Sequence, residues 1–110
     1  MSDAILVLTT CASAEEAERI SAALLQQRLV ACASIGAPVT SRYRWQGKLE
    51  TEAEVPLTLK TRRDCFERLA AEIQKLHSYE VPEIVAVPAV AISESYREWL
   101  EANTSCSPMA

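Results

Sequence analysis

The sequence predicts an α+β domain, an antiparallel sheet with helices laid on one face. Three observations predict it. Residues 39–60 alternate in polarity with period two on both sides of Gly47. Residues 13–28 and 61–76 carry apolar side chains at helical spacing. Ala4–Leu8 and Ile84–Val90 are short apolar runs of strand length.

Taken in order, Ala4-Ile5-Leu6-Val7-Leu8 suits a central strand buried on both faces, running out at Thr9-Thr10-Cys11. Ser13-Ala14-Glu15-Glu16 then has the form of a capping box, with Ser13 as N-cap and Glu16 reaching back. The helix it opens carries Ala17, Ile20 and Leu24 on one stripe and closes near Arg28. Leu29 to Ile35 returns as a strand, and Gly36-Ala37-Pro38 interrupts it with a bend or bulge. Val39 to Lys60 is a long hairpin. Pro56 cannot donate a ladder bond, so it belongs at an edge or bulge. A second helix starts within 61–64 and presents Phe66, Leu69, Ile73 and Leu76. After a polar loop, His77 to Glu83, Ile84–Val90 forms the last strand. Ser93 or Ser95 caps a final helix through Tyr96, Trp99 and Leu100. We expect one domain over residues 1–103 and a flexible tail over 104–110.

The hairpin is long for so short a chain, since strands usually run about 5–6 residues. It is expected to overhang its own core and seek a neighbour. Val39, Ser41, Tyr43 and Trp45 alternate with Thr40, Arg42 and Arg44. Leu49, Thr51, Ala53, Val55, Leu57 and Leu59 alternate with Glu50, Glu52, Glu54, Thr58 and Lys60. A three-residue loop, Trp45-Gln46-Gly47, would keep Tyr43 opposite Leu49 and Arg42 opposite Glu50, with Gly47 at the positive-φ position. On that register Arg42 faces the Glu50/Glu52/Glu54 row, as a solvated, charge-balanced surface or a ligand site.

The element order β-α-β-β-α-β-α places two βαβ crossovers around a hairpin. That is a ferredoxin-like βαββαβ sandwich with a long β-hairpin and a C-terminal helix. Such a fold settles no function. The 110 residues can bury about two-thirds of their unfolded surface. A net charge of −4 without a basic stripe argues against a nucleic-acid partner. The N-terminus lacks a basic n-region and a cleavage pattern, and no apolar stretch approaches membrane-span length. We therefore expect a cytoplasmic protein without a membrane partner. Cys11, Cys32, Cys65 and Cys106 are spaced by 21, 33 and 41 positions, unlike zinc or redox motifs, and are expected to stay reduced. Cys32 and Cys65 read as packing residues, and Cys106 as an exposed residue of the tail.

His77, the only histidine, falls at a helix C-terminus beside Tyr79, Glu80 and Glu83. It can cap the last carbonyls, or, as neutral imidazole, ligate copper or zinc. The carboxylates of Glu50, Glu52 and Glu54 diverge along a strand. Lys60, at a strand end, is either solvated or an anion holder. Phosphate loops and nucleophile elbows are missing, and one histidine limits acid–base or metal-hydrolase schemes, so no enzyme is expected. The apolar strands hold no aromatic residue, which argues against an RNA-binding version of the fold.

Five segments together resemble one family. Arg28-Leu29-Val30-Ala31-Cys32, Tyr43-Arg44-Trp45-Gln46-Gly47-Lys48, Glu54-Val55 with Leu59-Lys60-Thr61, His77-Ser78-Tyr79-Glu80-Val81-Pro82-Glu83-Ile84 and Tyr96-Arg97-Glu98-Trp99-Leu100 fall in the order and spacing of the CutA divalent-cation tolerance proteins. The resemblance implies a non-enzymatic homotrimer whose hairpins pair between subunits, with Tyr43, Trp45 and Gly47 at the interface. It implies binding of copper or another divalent cation. Ser78 stands where the family has proline, and Ser34 where it has asparagine. The family's copper pattern falls here on Thr9, Leu76 and His77. Of these only His77 matches, so the implied metal residues are His77 with Cys11 or Cys32, the set for soft-ligand copper(I) chemistry. The family's likeness to PII signalling trimers implies an alternative, a small-molecule sensor. There Lys60, Tyr79 and Glu83 would hold an anionic ligand in an intersubunit cleft.

Overall fold

In the computed structural model, which describes residues 3–106, five strands and three helices form a mixed α+β fold. The strands are β1 (Ala4–Cys11), β2 (Cys32–Ile35), β3 (Val39–Trp45), β4 (Lys48–Arg62) and β5 (Val85–Pro88). They order as β2-β4-β1-β5, with β3 paired to the outer half of β4. Every pairing is antiparallel. The helices are α1 (Ala14–Gln26), α2 (Phe66–Leu76) and α3 (Glu94–Ala102). A 3-10 turn, Arg63–Cys65, leads into α2, because Thr61 and Arg62 still belong to β4.

Both predicted helical stripes are buried against one side of the sheet. Ile20 and Leu24 of α1 and Leu69 and Ile73 of α2 pack with Val7, Cys11, Val55, Leu57 and Leu59. Truncating such a side chain to alanine costs about 2–5 kcal/mol. The opposite face behaves differently. Register places Ala4, Leu6, Leu8 and Lys60 on it. There α3 covers one end, where Leu100 and Tyr96 pack with Ala4 and Ala31. Val85 and Val87, beside Leu8 and Leu6 on that face, stay 48% and 38% exposed.

Two backbone details anchor the site elements. Ser13 Oγ accepts from the Glu16 amide at 3.1 Å, so the predicted N-cap of α1 is present. At its other end Leu29 N–H reaches Leu24 O and Arg28 N–H reaches Leu25 O, with Arg28 at φ 57. This is a Schellman closure carried by arginine where glycine is usual.

Gly36 donates to Pro56 O at 2.9 Å, and the interruption between β2 and β3 falls opposite Pro56. A Cβ on Gly36 would lie 2.9 Å from Pro56 Cγ, so the close approach requires glycine. Both segments pair with one continuous 15-residue strand, β4.

The hairpin turn differs from expectation. Trp45 pairs with Lys48, so the loop has two residues, Gln46 and Gly47, both at positive φ (50 and 79). Such a pair matches the twist of the flanking strands. It sets Tyr43 opposite Glu50 and Arg42 opposite Thr51. Tyr43 and Trp45 therefore share a face with Glu50, Glu52 and Glu54, and Arg42 lies on the other. Sorting by polarity could not select the register here, because most of this overhang is exposed on both faces.

The cysteines also differ. Cys65 and Cys106 form a disulfide, with Cα atoms 5.1 Å apart. Sequence spacing could not reveal it, because the two meet only when the chain beyond α3 folds back. Thr104 to Cys106, expected to be loose, are held in place. Arg62 Nε donates to Thr104 Oγ1 at 2.7 Å, and Ser105 N–H to Arg28 O at 3.0 Å. The rest of the expected tail, 107–110, lies outside the described residues. Among those described, no helix is long and apolar enough to cross a membrane.

Candidate metal centre

Three elements converge where β1 ends. Strand β1 extends through Cys11, which puts Cys11 on the same side as Val55, facing the helices. The first turn of α1 brings Glu16 there, and the C-cap of α2 brings His77. A thiol, a carboxylate oxygen and an imidazole nitrogen from Cys11, Glu16 and His77 all lie within 4.8 Å of one another. These residues are 0%, 5% and 8% exposed. Among the described residues no other group of three such donors is this close.

Each donor already has work. Glu16 accepts from Ala12 N–H at 2.9 Å and from Ser78 N–H at 2.8 Å, tying the β1–α1 turn to the loop after α2. Burial opposes its ionisation, but the Ser78 and Ala12 hydrogen bonds and the His77 ring together bring its pKa below the ordinary 4.5. His77 Nδ1 accepts from Tyr79 N–H at 3.0 Å, and Nε2 lies 2.7 Å from Thr10 O. The Nε2 nitrogen therefore carries the proton and donates to that carbonyl, leaving Nδ1 with its lone pair 4.0 Å from Glu16 Oε1. The α2 cap itself is made by the His77 backbone, which donates to Ile73 O. Burial first, then the charges of Glu16 and Glu54, push the Cys11 thiol up from 9.0 to about 11.

Cys32 does not join this group. It pairs with Lys60, five residues along β4 from the Val55 that faces Cys11. An odd separation on one strand sends the two cysteines to opposite faces of the sheet. Thr9 is buried one turn of the pleat before Cys11, and the Leu76 carbonyl accepts from Arg19.

The three expected cleft residues also separate. Lys60 Nζ lies over the Tyr96 ring, 6.0 Å from its centroid. Tyr79 and Glu83 instead border a groove of about 540 Å³ between the hairpin and the 78–83 loop, together with Tyr43, Trp45, Glu54 and Glu80. Glu54, in the exposed-looking carboxylate row, is buried and accepts from Tyr79 OH at 2.7 Å. Burial and that bond hold the Tyr79 hydroxyl well above its ordinary pKa. Gly47 stands at the hairpin tip with open space around it.

Sequence reasoning missed Glu16 as a site residue. The signal was present in the capping box, because the carboxylate that reaches back must lie over the end of the preceding strand.

The fold and site together define a small α+β protein with a buried mixed thiol–carboxylate–imidazole cluster at one end of its sheet. The family described as CutA1 divalent ion tolerance protein matches residues 5–103, and the chain belongs to that family. It is 42% identical over 99 residues to the divalent-cation tolerance protein CutA of Thermus thermophilus, covering 90% of this chain and 96% of that one. It is 40% identical over 100 residues to the Pyrococcus horikoshii CutA, covering 91% and 97%. The crystal structure of CutA1 from Oryza sativa superposes with a TM-score of 0.92 at 33% identity, covering 96% and 97%.

Proposed function

We propose that this chain binds a divalent metal ion through Cys11, Glu16 and His77, and serves as a non-enzymatic cation-tolerance protein. The observation that carries the reading is the convergence of those three buried donors within 4.8 Å. Around one zinc or copper ion such ligand atoms stand about 3–4 Å apart, given bonds of roughly 2.0–2.3 Å. The group is therefore close to ligating distance without a change of fold. The relatives' description as divalent-cation tolerance proteins supports the same reading.

The donor set also selects among metals. One soft sulfur, one borderline imidazole nitrogen and one hard carboxylate suit copper(II) or zinc(II). Two sulfurs would have favoured copper(I), but Cys32 is on the wrong face to supply the second. His77 is oriented for the task, because its Nε2–H bond to Thr10 O leaves Nδ1 as the ligating atom. An ion held there would take the place of the Tyr79 N–H at Nδ1 and would need Cys11 as its thiolate.

We assign a ferredoxin-like arrangement and a homotrimer to the same reading. The strand order β2-β4-β1-β5 supports the first. The exposed Val85 and Val87 face and the overhanging hairpin, in a chain extending 44 × 29 × 24 Å, support the second. A cytoplasmic location belongs to the proposal.

Calorimetry with copper(II) and zinc(II) on the wild type, Cys11→Ser and His77→Ala tests the site. Equal affinity in all three proteins would sink it. Deleting Trp45 to Lys48 should convert trimer to monomer by light scattering, and an unchanged mass would defeat the assembly reading.

A further inference from the structure

One residue lies on the nitrogen that would ligate the ion. Cys11, Glu16 and His77 are all buried, and Tyr79 donates its N–H to His77 Nδ1 at 3.0 Å. An imidazole nitrogen has one lone pair, so Nδ1 serves either this amide or an ion, never both. The carboxylate oxygens of Glu16 have two lone pairs each. They can keep the Ala12 and Ser78 amides while taking a further partner. Of these three amide bonds, only that of Tyr79 excludes an ion.

Tyr79 is also fastened through its side chain. Its ring sits 4.6 Å from the His77 ring, tilted by 47°, and its hydroxyl donates to Glu54 Oε2 at 2.7 Å. Glu54 is 7% exposed and precedes Val55, the residue paired with Cys11. The phenol therefore straps the loop back onto the strand beside the centre.

The neighbours of Tyr79 are held separately. Ser78 N–H lies on Glu16 Oε2, and Glu80 O accepts from Gln74 Nε2 at 3.0 Å. A change at Nδ1 thus falls on the Tyr79 peptide, and the hydroxyl of the same residue must shift with it. A hydrogen bond weakens steeply once its distance and angle are lost. All of these contacts lie within one chain, and none depends on a surface being open.

We propose that Tyr79 is a latch on the metal centre: its hydroxyl bond to Glu54 holds its amide on His77 Nδ1 and so sets how tightly the centre takes a divalent cation. This rests on the metal reading. The closed latch and the bound ion exclude each other, so each weakens the other by the same factor. The measured affinity is then the intrinsic one reduced by the fraction of molecules whose latch is open.

The test is residue-resolved amide hydrogen exchange on the full chain, with and without zinc(II), alongside calorimetry. Bound zinc should speed exchange of the Tyr79 amide roughly tenfold or more and leave the Ser78 amide protected. In Cys11→Ser, zinc should leave the Tyr79 amide as protected as in the free protein. Tyr79→Phe removes the hydroxyl and keeps the ring. It should bind zinc roughly tenfold more tightly, the usual contribution of one hydrogen bond to a charged group. If Tyr79→Phe does not fold by circular dichroism, the exchange measurement decides alone. Suppose zinc binds the wild type and is lost in Cys11→Ser. A Tyr79 amide that stays protected, or an unchanged affinity in folded Tyr79→Phe, then overturns the latch and leaves the metal centre in place. No zinc binding in either the wild type or Tyr79→Phe overturns both.

Discussion

Removing the Glu16 carboxylate should weaken the fold at the edge of the main core, beside Cys11. In Glu16→Ala, the Ala12 and Ser78 amides, bonded at 2.9 and 2.8 Å, both lose a charged acceptor. Each such bond is worth about 1.5 kcal/mol net, so the loss should be about 3 kcal/mol. Glu16→Gln keeps one acceptor oxygen and should lose about half as much. The pH dependence has a definite sign. The folded carboxyl titrates below its ordinary 4.5, so its contribution is full above that value. It is lost as pH falls through the lower, folded value. The gap between wild type and Glu16→Gln should therefore narrow below about pH 4. Urea unfolding at fixed protein concentration, at pH 7 and in acid, measures both effects. A loss under about 0.5 kcal/mol for Glu16→Ala, or a wild-type-to-Gln gap that widens in acid, would refute the reasoning.

Three further outcomes are expected. Reducing the Cys65–Cys106 bridge releases a loop of 41 residues and should lower stability by about 4 kcal/mol, whereas Cys106→Ser should be insensitive to reductant; equal responses would refute the bridge. Gln46→Asn should raise stability by about 1 kcal/mol, because asparagine accepts the positive φ of 50 more readily than glutamine; a lower melting temperature would contradict the two-residue turn. If the ion binds the Cys11 thiolate, zinc affinity should rise about tenfold per pH unit between pH 6 and 8, since the thiol titrates at about 11. Cys11→Ser should flatten that slope, and a slope shared by both proteins would exclude Cys11 as a ligand.

Much of the architecture was legible from periodicity. The stripe Ala17, Ile20 and Leu24 and the stripe Leu69 and Ile73 are buried as their spacing required, since a helix hides one face. Pro56 falls opposite the interruption between β2 and β3, because its missing N–H leaves few other places for it. Of the expected metal residues, Cys11 and His77 lie within 4.8 Å of each other and of Glu16, while Cys32 lies apart on the other face of the sheet. Glu16 was hidden by its local role, since a capping carboxylate looks complete within its own helix. Polarity sorting misread the hairpin, where the turn outweighs it.

Local spacing in the chain determined which segments are strands and which are helices, because amphipathic periods depend only on neighbours in sequence. Tertiary structure alone decided which side chains meet. Cys11 and Cys32 part because an odd number of residues on β4 separates their partners, and parity decides the face. Cys65 and Cys106 join because the chain beyond α3 turns back onto Arg28 and Arg62, contacts between residues dozens of positions apart that no local pattern encodes.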